Sequence, residues 1–184
     1  KELAELAKVE ERIVNICKTA YTLNVPVFID AEESWIQDII DTWAFEMMCL
    51  FNKERTIVYN TIQMYRHDRL KFLKSCVQKA VDKKVSYGVK LVRGAYMEKE
   101  RERALDMNYP SPIQIDKQAT DDDYNQAQSF ILDNIHHFSL VAGTHNEESS
   151  MQLARQLEKY QIAKDDHRVF FAQLLGMSDH ISFN

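Results

Sequence analysis

Gly88-Val89-Lys90-Leu91-Val92-Arg93-Gly94-Ala95-Tyr96-Met97-Glu98-Lys99-Glu100-Arg101 is the stretch on which the fold of this chain turns. It opens as a short apolar run carrying Lys90 and Arg93, breaks at Gly94, and continues after a small residue and an aromatic into a charged segment that favours helix. A strand that ends in cations and turns at glycine sets positive charge and bare amides against an anionic or electron-rich ligand. On its own, the stretch is equally compatible with a buried strand whose last side chains have reached solvent.

The same alternation recurs on either side. Residues 2–22 place Leu6, Val9, Ile13, Ile16 and Ala20 at helical spacing, and Asn24 and Pro26 end that helix. A strand over 26–30 ends at Asp30, and a helix over 32–52 puts Ile36, Ile39, Ile40, Trp43, Met47 and Leu50 on one face. A strand over 56–63 ends in Gln63, and a helix over 68–84 carries Leu70, Leu73, Val77 and Val81. Beyond the opening stretch a charged connection with Pro110 and Pro112 leads to a helix from 121 to about 136. A strand over 138–145, a helix with Met151, Leu153, Ala154 and Leu157, and a strand over 168–175 follow.

Strand starts at 26, 56, 87, 138 and 168 lie 30, 31, 51 and 30 residues apart, the length of one βα unit with one insertion after the third strand. Unbroken apolar strands separated by amphipathic helices predict a parallel sheet covered by helices. A doubly wound sheet and a (βα)8 barrel of the TIM type both fit. No GxGxxG or GxxxxGK[ST] follows the first strand, which weakens the usual nucleotide-binding sheets. Polar residues close the first four strands (Asp30, Gln63, Lys90 with Arg93, Thr144 with His145), and in a barrel those ends converge on the rim where the chemistry sits. The barrel is favoured. Eight strands need roughly 250 residues, so about five βα units are expected here, as one domain over 1–184 with the first and last barrel elements absent from it.

The 184 residues carry a net charge of −5, against the basic footprint that non-specific nucleic-acid binding requires. No apolar run reaches the roughly 20 residues that span a bilayer. The chain begins without Met and has no signal-peptide pattern, as expected for a piece of a longer protein. Cys17, Cys49 and Cys76 form no CxxC pair and read as reduced thiols in a reducing compartment. No HExxH occurs, which disfavours hydrolytic metal chemistry, although Asp30, Glu32 and Glu33 could form a metal or acid/base cluster. With no Gly-x-Ser-x-Gly and no Cys at a strand end, nucleophilic catalysis has no candidate. Glu32 and Glu33 read as first-turn helix acids welcomed by the dipole, whereas Asp30, ending a strand, is placed to pair with a cation. Thr144-His145-Asn146-Glu147 reads as a helix start with Asn146 as cap, where backbone N–H groups also favour anions.

Asp30-Ala31-Glu32, Lys90-Leu91-Val92-Arg93-Gly94-Ala95-Tyr96, Thr144-His145-Asn146 and Gln173-Leu174-Leu175-Gly176-Met177, in this order and at these spacings, resemble proline dehydrogenase, most nearly the branch of mitochondrial and single-function bacterial enzymes. The resemblance runs from about residue 25 to the end, and Arg-Gly-Ala-Tyr is its most specific part. It implies a distorted barrel that holds FAD at its rim and oxidises L-proline to Δ1-pyrroline-5-carboxylate, with hydride transfer to flavin N5 and electrons passed to a membrane quinone. It implies Asp30, Tyr96 and Leu174 in the proline pocket, Tyr96 packed on the substrate and Leu174 as an apolar wall. Gln63 is implied at the flavin ring, Lys90 near N5, and Val92, Gly94 and Ala95 along the cofactor. Lys117 and Thr120 would meet the phosphate–ribose part, and Thr144, His145 and Asn146 the adenosine and pyrophosphate end.

Lys90 stands where many bifunctional bacterial members carry Arg, so a bidentate contact becomes a point charge. Met97 replaces an aromatic that some members place against the cofactor. The resemblance puts the residues that bind the proline carboxylate, and an early lysine strand, outside these 184 residues, so little activity is expected from them alone. The alternatives are a dehydrogenase of hydroxyproline or another cyclic amine, and a non-catalytic barrel module. The compartment implied is the bacterial cytoplasm or inner-membrane periphery, or the matrix side of the mitochondrial inner membrane, with peripheral membrane contact.

Overall fold

A computed structural model describes residues 2–183; residues 1 and 184 of the span read as one domain lie outside the described residues. Helix α1 (Glu2–Leu23) leads into β1 (Val27–Ile29), and α2 (Ser34–Phe51) returns the chain to β2 (Val58–Gln63). Helix α3 (Arg69–Lys83) connects to β3 (Tyr87–Val92), followed by α4 (Met97–Asp106) and α5 (Lys117–Asp133). Then come β4 (Phe138–Gly143), α6 (Glu147–Lys159), β5 (Val169–Ala172) and the short α7 (Asp179–Ser182). The five strands are all parallel and lie in the order β1-β2-β3-β4-β5.

That order settles the choice left open by periodicity. A doubly wound sheet reverses its strand order at a switch point and sends helices to both faces. Here the order never reverses, so right-handed crossovers keep the helices on one side and the sheet forms an arc of a barrel. Five parallel βα units make a half-barrel.

Alternate side chains along each strand then have different surroundings. Val58, Ile62, Tyr87, Val89, Leu91, Phe138, Leu140 and Ala142 point outward into the apolar core with Met47, Met48, Leu73, Cys76, Tyr124, Ile131 and Leu132 of the helices. Phe28, Asp30, Thr61, Gln63, Lys90, Val92 and Ala172 point to the other, concave side, which Gly143 also lines. Register holds these in layers, with Thr61 beside Lys90 and Lys90 beside Val141. Gly88 is required by this packing, because a Cβ there would stand 2.3 Å from the Val58 carbonyl oxygen.

Two helix faces differ from the periodic reading. On α1, Leu6, Val9 and Ile16 are exposed, while Cys17 is buried and Ile13, Val14, Ala20 and Tyr21 pack against the core. On α2, Trp35, Ile36, Ile39 and Leu50 are exposed, and the buried positions are Gln37, Asp41, Ala44, Met47 and Met48. The reason is a polar network behind the sheet. Asp41 accepts from Gln37 Nε2 at 3.1 Å and Asn60 Nδ2 at 2.7 Å, and pairs with Arg69 at 2.7 Å. Arg69 in turn stacks on Phe72, 3.9 Å from the ring centre. Pairing makes burial of these groups tolerable, so the inward face of α2 is set by hydrogen bonding as much as by apolar spacing.

The connection after β3 is also more ordered than a charged loop. Helix α4 fills its first half, and α5 begins at Lys117 rather than near 121, capped by Asp116, which accepts from the Ala119 amide at 2.8 Å. Between them, Arg66 and Ile113 form an isolated antiparallel bridge, and Tyr65 O accepts from the Gln114 amide at 2.7 Å. The three cysteines are free; Cys17 and Cys76 are buried, and burial raises both thiols to about 11.

Candidate functional site

The C-terminal ends of the strands surround an open cleft of about 820 Å³. Asp30 follows β1, Gln63 ends β2, Lys90 and Val92 lie in β3, and Gly94, Ala95 and Tyr96 form the turn after it. Thr144, His145 and Asn146 follow β4, Leu174 follows β5, and Lys117 reaches in from the start of α5. Twelve of the residues expected at the site therefore share one cleft. Thr120 does not line it: it is buried, and its hydroxyl donates back to the Asp116 carbonyl at 3.2 Å.

At one end, Lys90 Nζ lies 2.6 Å from Asp30 Oδ1, and Thr61 Oγ1 donates to the same oxygen at 3.2 Å. The cation expected opposite Asp30 is thus Lys90, from the middle of the sheet. Lys90 Nζ also stands 5.2 Å from the centre of the Phe28 ring. Gln63 is buried beside this pair, and its Oε1 has no hydrogen-bond partner among the described residues; the same is true of His145 Nδ1. A buried polar atom without a partner is uncommon in folded proteins. Gly94 has φ of +138°, and a Cβ there would lie 2.5 Å from the Tyr65 ring, so the close turn after β3 accepts only glycine.

At the other end, Arg93 organises the elements. Its guanidinium donates to Asp121 at 2.6 Å, Thr144 Oγ1 at 2.6 Å and Ser149 Oγ at 2.9 Å, and stacks 4.4 Å from the centre of Tyr124. One planar cation ties β3, α5, β4 and α6 together. Burial pushes the Asp121 carboxyl up, but Lys117 and Arg93 on either side bring it below its usual value. Asn146 caps α6 as its sequence suggests, accepting from the Ser149 amide at 2.9 Å, while its own amide donates to Thr144 Oγ1 at 3.0 Å.

The rim is crossed by a set of contacts between the β1–α2 and β3–α4 turns. Tyr96 Oη donates to Glu32 Oε2 at 2.8 Å, Lys99 pairs with Glu33, and the Glu100 carboxylate accepts from the Ser34 amide at 2.5 Å and hydroxyl at 2.7 Å. This corrects the first-turn reading of Glu32 and Glu33: α2 begins only at Ser34, Glu33 makes no capping bond, and both acids face α4 instead. The hydrogen bond to Glu32 raises the Tyr96 phenol above its ordinary value of 10, and Lys99 lowers the Glu33 carboxyl. Arg93 was read as a strand-end cation without its partners, and Glu100 is the site-building residue that the strand-end pattern does not single out. For Glu100 the available signal was its i, i+4 spacing from Ala104, which puts both on the buried face of α4.

Among the described residues no group of three or more His, Cys, Asp or Glu could hold a metal ion, and no helix is long and apolar enough to cross a membrane.

The sequence profile of the family described as Proline dehydrogenase matches residues 2–184. The chain is 39% identical over 188 residues to Proline dehydrogenase 2, mitochondrial, of Arabidopsis thaliana, covering 100% of this chain and 40% of that relative. It is 33% identical to Proline dehydrogenase 1, mitochondrial, of Homo sapiens, covering 100% and 31%. It is 34% identical to the Hydroxyproline dehydrogenase of Xenopus laevis, covering 98% and 40%. The chain therefore spans two fifths or less of these relatives. Among solved structures, proline utilization A of Bdellovibrio bacteriovorus, inactivated by N-propargylglycine, superposes with a TM-score of 0.87 at 24% identity over 95% of this chain and 18% of that one, a likeness of fold. From its sequence, its half-barrel and the cleft at the strand ends, the chain belongs to the proline dehydrogenase family.

Proposed function

We propose that these residues form the central part of a barrel that binds FAD and oxidises L-proline to Δ1-pyrroline-5-carboxylate. The observation that carries this reading is the convergence of Lys90, Asp30 and Gln63 at one end of an open cleft whose opposite end is built from Thr144, His145 and Asn146. The residues fit the cofactor. Gln63 Oε1 and His145 Nδ1 are buried polar atoms that lack a protein partner among the described residues, and a ligand bearing donors would satisfy them. The start of α6 offers an anion-favouring terminus.

FAD, when bound, supplies the hydride acceptor. Gln63 and Lys90 would hold its ring, Val92, Gly94 and Ala95 would line it, and Lys117, Thr144, His145 and Asn146 would hold its phosphate and adenosine parts. Thr120 supports that end only through the backbone at Asp116. The ammonium of Lys90, fixed by Asp30, puts positive charge beside a ring that becomes electron-rich on reduction, and a preorganised charge of this kind needs no rearrangement during the reaction. Asp30 engages Lys90 and Thr61 through Oδ1, which leaves Oδ2 for the substrate amine. Tyr96, its proton committed to Glu32, turns an acceptor oxygen and a flat ring toward the substrate, and Leu174 closes the pocket with an apolar wall. A quinone is the proposed electron acceptor, reached by peripheral contact with a bacterial inner membrane or with the matrix side of the mitochondrial one.

The test is proline-dependent dye reduction by the full-length protein, with its visible spectrum recorded beforehand. A yellow protein that reduces the dye only with proline is expected. A colourless protein that FAD cannot reconstitute overturns the reading. The Xenopus relative supports a second reading, a hydroxylated ring as substrate, at an identity of 34% against 33% for the human proline dehydrogenase. Higher kcat/KM on hydroxyproline than on proline would establish it.

A further inference from the structure

The geometry points to Glu100 as a positioning residue that holds the two substrate-facing turns at a fixed separation. It is fully buried in α4 and away from the cleft lining, yet it joins both turns. Its backbone amide donates to the Tyr96 carbonyl at 2.9 Å, closing the first turn of α4 on the residue proposed to pack on the substrate. Its carboxylate accepts from the Ser34 amide at 2.5 Å and hydroxyl at 2.7 Å, fastening the start of α2. Ser34 lies four residues after Asp30, and the intervening Glu32 takes the Tyr96 proton. Helix α2 has no side-chain cap of its own at Glu33, so Glu100 supplies from a distant helix the anion that its N-terminus requires.

The clasp bridges β1 and β3 over the end of β2, the strand between them. Loosening it moves the 31–34 segment and Tyr96 relative to each other, while Asp30 stays paired with Lys90 and tied to Thr61, and Gln63 and the Arg93 cluster stay anchored in strands and helices. Glu100 therefore acts on the amine-binding half of the cleft and not on the cofactor half, an assignment of effect that rests on the proposed proline oxidation.

Hydrogen exchange and steady-state kinetics on the full-length, flavin-loaded protein test this, with Glu100→Gln and Ser34→Ala as variants and the exposed Glu102→Gln as control. Glutamine keeps one acceptor where two are used, so exchange is expected to quicken in both the 30–34 and 94–97 segments. The KM for proline should rise roughly tenfold, the ratio that corresponds to one charge-assisted hydrogen bond of the weaker kind, with flavin content and the flavin spectrum unchanged. Ser34→Ala should give the same pattern more weakly, and the double variant no more than Glu100→Gln alone. Faster exchange confined to α4, or equal losses of flavin and of proline binding, would overturn the proposal. If the wild-type protein oxidises no proline, the functional reading fails, and exchange in the 30–34 segment alone decides the clasp.

Discussion

Lys90 and Asp30 are 2.6 Å apart although sixty positions separate them in sequence, and each was visible beforehand as a polar residue at a strand end. Parallel strands deliver their C-terminal ends to one rim, so strand-end chemistry is the part of the site that a sequence exposes most directly. Arg93 was visible as a strand-end cation but its partners were not, and Glu100 was less legible still, because the groups each one joins lie on other elements. Lys90→Ala removes the cation beside the proposed flavin ring. It should weaken flavin binding by about tenfold and lower the midpoint potential, checked by titration of the apoprotein and by dye-coupled potentiometry; unchanged flavin affinity and potential would place Lys90 elsewhere. Tyr96→Phe should raise the KM for proline while flavin occupancy stays constant. Glu32→Gln should bring the Tyr96 ionisation back toward its ordinary value of 10, seen as a shift of the alkaline limb of kcat/KM to lower pH.

Helix α2 shows how a correct element can be read with its inward face only partly right: Met47 is buried as expected, whereas Ile36, Ile39 and Leu50 are exposed. Its apolar residues repeat at helical spacing, but the partners on β2 and α3 that satisfy Asp41, to which Gln37 donates, are long-range and silent in a local pattern. Asp41→Ala leaves Arg69 charged and buried without its partner and should cost about 3–5 kcal/mol in urea unfolding. The Arg93–Asp121–Lys117 cluster that joins β3 to α5 gives a pH signature instead. The folded Asp121 value lies below the ordinary 3.8, so its stabilisation is complete above about pH 5 and is lost as pH falls through the lowered folded value. Asp121→Asn should therefore reduce stability at pH 7 and shallow the acid limb of the unfolding profile, with the two proteins converging once pH is below the lowered folded value. Parallel acid limbs would show that Asp121 carries none of this linkage.

For the whole molecule, the regular spacing of strand starts made the half-barrel predictable, while strand order, which no spacing encodes, decided it against a doubly wound sheet. Both boundary strands remain open along one edge among the described residues: β1 pairs only with β2, and β5 only with β4. Phe28, Phe170, Phe171 and Leu175 are exposed on or near those edges, Leu175 at 98%. Unpaired, apolar strand edges associate, so these 184 residues expressed alone should form concentration-dependent oligomers in light scattering. A monomer at every concentration would be the contrary result. The alternation of core-facing and cleft-facing side chains along β3 has a consequence for how this segment tolerates change. In a saturation library scored separately for cellular abundance and for flavin retention, Val89 and Leu91 should be intolerant in the first score, and Lys90 and Val92 in the second. Neighbouring positions would then answer to different selective pressures, and a lineage could retune its cofactor or substrate on every other residue without disturbing how the chain folds.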